Sequence, residues 1–188
     1  MRYPNSTMTY HRKISHANRG MNLEEQINDA NKYYLDNDIA IIYKKPTPIG
    51  IVNVSNNEEN KIITKAYFKE ASTLDYVGIY KGRYIEFDAK QTQNKTSFPL
   101  SNISSHQIKH MKNIINHGGI TFLIINMNNN HYLYNGTDLI SFINSEKRKS
   151  IPYTIIKKDG YIIYKDNNIL INYIKTLDQI IGGNHEKN

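Results

Sequence analysis

The residues best suited to chemistry in this sequence are Asp75 and the triplet Asp88-Ala89-Lys90. Along Tyr84-Ile85-Glu86-Phe87-Asp88-Ala89-Lys90 the side chains of a strand alternate, so Ile85, Phe87 and Ala89 face the predicted core. Glu86, Asp88 and Lys90 share the other face. An amphipathic surface strand has the same pattern, so alternation alone is weak. The preceding segment adds to it. If Lys81-Gly82 is a two-residue hairpin turn, Tyr80 pairs with Arg83. The same register sets Asp75 opposite Asp88 and Thr73 opposite Lys90. Directly opposed Cβ atoms lie about 4.5–5.5 Å apart, and like charges there are destabilising. A three-residue turn would make the two aspartates diagonal neighbours instead. Facing carboxylates need a proton or a cation, and a hard dication such as Mg²⁺, which takes one or two carboxylates, is the natural occupant. Lys90 would then lie near a phosphate, neutralising developing charge or helping to orient the attacking water.

The elements that must hold these residues follow from pattern. Asn22 with Glu25 three residues on is a capping-box variant, opening a helix to about Leu35 with Leu23, Ile27, Ala30, Asn31 and Tyr34 on one face. Ile39 to Tyr43 reads as a short strand. Lys44-Lys45-Pro46-Thr47-Pro48 excludes a central strand. Ile49 to Val54 and Lys61 to Lys69 are extended segments around a polar tip at Ser55 to Asn60, which together predict a projecting hairpin, a stalk over about 45–69. Leu74 to Tyr80 and Tyr84 to Lys90 are the site strands. Ser104-Ser105 caps a helix to about Asn116, ended by Gly118-Gly119. Ile120 to Met127 and His131 to Tyr134 are strands, Thr137 or Asp138 starts a helix to about Glu146, Tyr161 to Tyr164 is a short strand, and Ile169 to Ile181 a closing helix. The class is α/β or α+β with a mixed sheet.

Composition sets the partners. The 188 residues predict a single domain over 21–188, after a polar, basic arm over 1–20. There are no cysteines, so thiolate metal sites and disulfides are excluded. This fits a reducing cytoplasm. Met1-Arg2-Tyr3-Pro4-Asn5-Ser6 lacks the apolar region of a secretory signal, and no apolar run is long enough to span a bilayer. A net charge of +7 favours polyanions, although heavy use of lysine, asparagine and isoleucine also fits codon bias. No nucleophile elbow or Walker loop is present. His106 and His110, four apart on one helix, lack a third ligand and read as DNA-contacting or supporting residues. Glu24 and Glu25 read equally as helix N-terminal acids or as acids reaching toward the site.

Asp75, a strand, then Asp88-Ala89-Lys90 resembles the PD-(D/E)xK nuclease superfamily. Longer blocks resemble the RecU-type Holliday junction resolvases: Asn18-Arg19-Gly20-Met21, Lys44-Lys45-Pro46-Thr47-Pro48, Ile51-Val52-Asn53-Val54, Ala66-Tyr67-Phe68, Tyr80-Lys81-Gly82-Arg83-Tyr84-Ile85, Asn94-Lys95-Thr96-Ser97-Phe98-Pro99-Leu100 and His106-Gln107-Ile108-Lys109-His110-Met111-Lys112. They keep the family's order and approximate spacing, and the likeness weakens after about Asp138. Where the family usually has Asp-Phe-Glu-Ala-Lys this chain has Glu86-Phe87-Asp88-Ala89-Lys90. Thr73-Leu74-Asp75-Tyr76-Val77-Gly78 likewise stands where the family commonly has Thr-Thr-Asp-Tyr-Asn-Gly. The resemblance implies a restriction-endonuclease-like mixed β-sheet core flanked by helices, with a projecting β stalk. It implies a homodimeric endonuclease that resolves Holliday junctions by symmetric paired nicks in DNA recombination and repair. The cofactor it implies is Mg²⁺, with Mn²⁺ as the alternative, held by residues at the positions of Thr73, Asp75, Asp88 and Gln107, with Lys90 catalytic. It implies that Arg19, Lys44, Lys45, Lys61, Lys65 and Lys69 contact DNA, and that partners include four-way junction DNA, the RecA recombinase and branch-migration machinery. The protein would be cytoplasmic and nucleoid-associated. The rivals are a duplex-cutting nuclease of the same superfamily and a junction-binding, recombinase-modulating protein with little catalysis.

Overall fold

The structure is a computed structural model and describes residues 22–56, 61–69, 73–166 and 168–182. The expected basic arm over 1–20, the hairpin tip at 57–60 and Arg19 lie outside these residues.

The order is α1 (Leu23–Asp36), β1 (Ile41–Lys44), β2 (Ile49–Asn56), β3 (Lys61–Phe68), β4 (Tyr76–Tyr80), β5 (Arg83–Gln91) and β6 (Ser97–Pro99). A 3-10 turn (Leu100–Asn102) follows, then α2 (Ser105–Asn116), β7 (Ile120–Met127), β8 (Asn130–Asn135), α3 (Gly136–Ser145), β9 (Ser150–Pro152), α4 (Tyr153–Asp159), β10 (Tyr161–Ile163) and α5 (Tyr173–Ile181). The six-stranded sheet runs β1-β4-β5-β7-β8-β10. Only β5 and β7 are parallel, and every other neighbouring pair is antiparallel. The chain is therefore α/β with a mixed sheet, consistent with a nuclease-like fold.

The caps that open the helices are local and match the sequence. Asn22 and Glu25 bond reciprocally to each other's backbone N–H, and Ser104 and Gln107 do the same for α2. The closing helix is shorter than expected. It starts at Tyr173 because the Asn172 side chain caps the Lys175 N–H, leaving 169–172 as loop. The sequence pattern does not predict the two-stranded β6–β9 sheet or the two-turn α4, since elements this short carry no readable period.

One face of the sheet is closed by α1 and α5. Tyr76, Phe87 and Phe122 stack in series across β4, β5 and β7, with centroids 4.8 and 4.6 Å apart, and Tyr173 from α5 tilts onto Phe87. The other face carries a second core of Leu74, Phe98, Ile103, Met111, Ile114, Leu123 and Ile125, supplied by α2 and by the segments around β6 and β9. This corrects the expectation that only one face of β5 is core. Both faces are covered, and Glu86 and Asp88 are 0% exposed.

β2 and β3 form the expected stalk, a separate two-stranded ribbon with irregular register around Asn53. Every described β3 side chain is exposed, as are Ile51, Val52 and Val54 of β2. Of the residues flanking the ribbon, Lys45 and Leu74 each donate a hydrogen bond to Glu86 of β5. Close strand contact leaves no room for a side chain at Gly78, where a Cβ would lie 2.2 Å from the Ile41 carbonyl oxygen. Gly78→Ala is expected to destabilise the chain by about 3 kcal/mol through overpacking against backbone, measured by denaturant unfolding.

Candidate active site

The site assembles where the β4–β5 hairpin meets the start of α2. Lys81, in left-handed backbone at φ 49°, and Gly82 at φ 72° form the two-residue turn, and Tyr80 pairs with Arg83 as the sequence predicts. The ladder ends at Tyr76↔Phe87. Asp75 is the next position and lies in a bend, its carbonyl accepting the Lys45 N–H at 2.7 Å. Its side chain nevertheless reaches the Asp88 carboxyl within hydrogen-bonding distance. The register argument thus brings the two aspartates together, although Asp75 and Thr73 are outside the strand. Thr73 is half-buried in the same bend.

Asp88 accepts three donors. Its Oδ1 takes the Ala89 N–H at 2.9 Å, and its Oδ2 takes Lys90 Nζ at 2.8 Å and the Gln107 amide nitrogen. Burial still pushes the carboxyl up from 3.8 to about 6, aided by Asp75 and opposed by Lys90. The orientation of Gln107 differs from that expected. Its Oε1 accepts the Ser104 N–H at 3.1 Å as part of the α2 cap, so its NH₂ group faces Asp88. Here Gln107 positions the carboxylate, and its oxygen faces away from it.

Glu86 joins the site in the structure although no motif in the sequence marks it. Its buried Oε1 accepts Lys45 Nζ, His110 Nε2 at 2.8 Å and the Leu74 N–H at 3.2 Å, while Oε2 accepts the Tyr84 hydroxyl. An ionised carboxylate only accepts, so His110 carries its proton on Nε2. Burial alone would push Glu86 up. The hydrogen bonds from Lys45, Tyr84 and His110 outweigh burial and hold it below its ordinary value. The one signal in the sequence was its place on the Asp88 face.

The base lysines are also placed differently from the expectation of DNA contact. Lys45 turns inward to Glu86, and Lys44 pairs with Glu24 at 2.6 Å. Glu25 is engaged in the α1 cap, whereas Glu24 lines a cleft of about 220 Å³ with Asp75, Tyr76 and Gln91. His106 and His110 do not act as a pair, because His110 is on Glu86 while His106 is exposed. Lys61, Lys65 and Lys69 are exposed along and beyond β3.

Among the described residues no group of three or more His, Cys, Asp or Glu side chains converges as a metal cage. The donor set at Asp75 and Asp88 is all oxygen and carries two like charges in contact, one of them buried. That chemistry fits a hard divalent cation, which keeps much of its water and needs only one or two carboxylates. It does not fit a soft metal.

A mixed α/β sheet with an acid-x-Lys strand facing a second acid belongs to the class of nuclease-like folds. The profile of the Recombination protein U (RecU) family matches residues 18–179. Proteins named Holliday junction resolvase RecU align over most of their length. The one from Streptococcus thermophilus is 44% identical over 92% of this chain and 89% of the relative. That from Geobacillus kaustophilus is 45% identical over 88% and 86%, and that from Pediococcus pentosaceus 48% over 88% and 86%. This chain belongs to the RecU family.

The raised Asp88 carboxyl has a testable sign. It keeps its proton to a higher pH in the folded chain than in the unfolded one, so the folded state binds more protons between about 4 and about 6. Its contribution to stability therefore falls as pH rises through that window. With a chelator present, Asp88→Asn should be about as stable as the parent near pH 4 and more stable above about pH 6. A melting-temperature difference that stays flat with pH would contradict this.

Proposed function

We propose that this chain is a Mg²⁺-dependent endonuclease that resolves Holliday junctions by paired, symmetric nicks during recombination and repair. The observation that carries this is the contact of Asp75, Asp88 and Lys90 at the foot of an exposed hairpin, in a member of the RecU family. Asp75 and Asp88 would hold the cation, with Mn²⁺ as the alternative to Mg²⁺; Gln107 is hydrogen-bonded to Asp88, and Thr73, two residues before Asp75, would complete the set. Gln107 would offer its oxygen only if its amide turns over and gives up the bond to Ser104. The cation, when bound, supplies positive charge that polarises the scissile phosphate and activates water.

The chain's own residues do the rest. Lys90 sits 2.8 Å from Asp88 and is one-fifth exposed, so its ammonium can turn from the carboxylate to a phosphate oxygen. There it stabilises charge that develops in the transition state. Asp75 is half-buried and lines the cleft, where DNA would lie against it. Residues 21–188 would be one nuclease domain with the stalk inserted over about 45–69. The stalk enters the open centre of the junction, and Lys61, Lys65 and Lys69 contact phosphates, with Arg19 of the 1–20 arm. Lys44 and Lys45 would reach DNA only by leaving Glu24 and Glu86. A two-fold dimer would set two sites on equivalent strands of a pseudo-two-fold substrate. The RecA recombinase and branch-migration machinery would act on the same DNA in the cytoplasm.

The test is nicking of a synthetic four-way junction beside linear duplex, with and without Mg²⁺. Symmetric nicks in the junction are expected only with Mg²⁺. Preferential cutting of duplex would exclude the resolvase reading, and binding without nicking would favour a junction-binding protein. Asp88→Ala should keep junction binding and lower nicking by roughly 100-fold or more, as should Lys90→Ala. Separately, Lys61→Ala/Lys65→Ala should lessen the slope of log affinity against log salt by roughly two, read from binding titrations.

A further inference from the structure

We propose that Glu86 is a positioning residue that couples the stalk to the metal-binding carboxylates, so that DNA held on the stalk sets the geometry of Asp75. This inference rests on the functional reading above and adds a residue to it.

Glu86 joins four segments through one buried carboxylate. Lys45 lies where the chain leaves β1 for the stalk, and Leu74 lies where it returns. Both donate to the same oxygen, Oε1. The two feet of the ribbon are thus pinned at a single atom, and the Lys45 N–H also bonds the Asp75 carbonyl at 2.7 Å. His110, bound to that oxygen at 2.8 Å, lies one helical turn beyond Gln107, the residue that holds Asp88. Tyr84 fastens the other oxygen. Leu74 directly precedes Asp75, so a shift of the feet is transmitted to Asp75 through one peptide unit.

The stalk has no other anchor of comparable kind among the described residues. All of β3 and most of β2 are exposed, and they form a sheet separate from the body. Force or order imposed along the ribbon therefore enters the body at Lys45 and Leu74. A buried, fully bonded carboxylate is a stiff point at which to receive it, because moving any donor leaves charge unpaired.

The experiment is amide hydrogen exchange on the full chain without divalent cation, with and without a four-way junction, together with Mg²⁺-dependent nicking rates. In the parent, the junction should slow exchange both in the stalk strands and over residues 73–77. In Glu86→Gln the stalk should still be protected while 73–77 is not. Nicking at saturating junction should fall roughly 100-fold with little change in the junction dissociation constant, as expected for a misplaced reacting group. Tyr84→Phe removes a donor from the same carboxylate but leaves both feet tied, and should behave as the parent. If Glu86→Gln does not fold, Lys45→Met/Glu86→Gln removes both charges together and should show the same loss of protection at 73–77. Protection of 73–77 that survives in the folded Glu86 variants overturns the coupling, as does an equal loss in Tyr84→Phe. A parent that neither binds nor nicks the junction overturns the functional reading instead.

Discussion

Two carboxylates buried on one central strand constrain this fold more than any other feature. Glu86 and Asp88 are both 0% exposed on β5. A charge removed from water is tolerated only where donors replace the lost hydration. Those donors cannot all come from β5. Glu86 draws on the stalk foot at Lys45, the bend at Leu74, and His110 of α2, with Tyr84 on the strand itself. Asp88 draws on Lys90 and on Gln107 at the start of α2. Satisfying the pair thus decides where the stalk, the bend before β4 and α2 must meet.

The two acids reach opposite outcomes from similar burial. Glu86 faces a lysine, a histidine, a tyrosine and a backbone N–H, and is held ionised below its ordinary range. Asp88 has Lys90 but also Asp75, and is pushed up to about 6. One carboxylate is therefore a fixed structural anchor. The other shares its site with a second carboxylate, Asp75, an excess of negative charge that a cation would relieve. Divergent environments for neighbouring acids are a physical mark of divided roles.

The two faces of the sheet divide the labour. The α1 and α5 face is a dry aromatic stack through Tyr76, Phe87 and Phe122 that fixes the alignment of β4, β5 and β7. The opposite face carries the polar site at the edge of a second apolar core. The stalk has little core of its own, so its direction is set at its feet. The ribbon forms its own two-stranded sheet, and its flanking residues Lys45 and Leu74 bond directly to Glu86 on the site strand.

Much of this was legible in sequence wherever the controlling interactions are local. The Lys81-Gly82 turn set the β4–β5 register, and that register placed Asp75 beside Asp88. The Asn22–Glu25 and Ser104–Gln107 caps are four-residue patterns, and period-two alternation marked the Asp88 face. The blocks that resemble the RecU family point to that family from sequence alone. Tertiary structure alone decided that the second face of β5 is buried, because burial depends on which distant segments cover a strand. It turned Lys45 into Glu86 from 41 positions away, and aimed the Gln107 nitrogen at Asp88 by engaging its oxygen in the cap. Alternation assigns a side chain to a face. Only packing determines whether that face meets water, DNA or another charge.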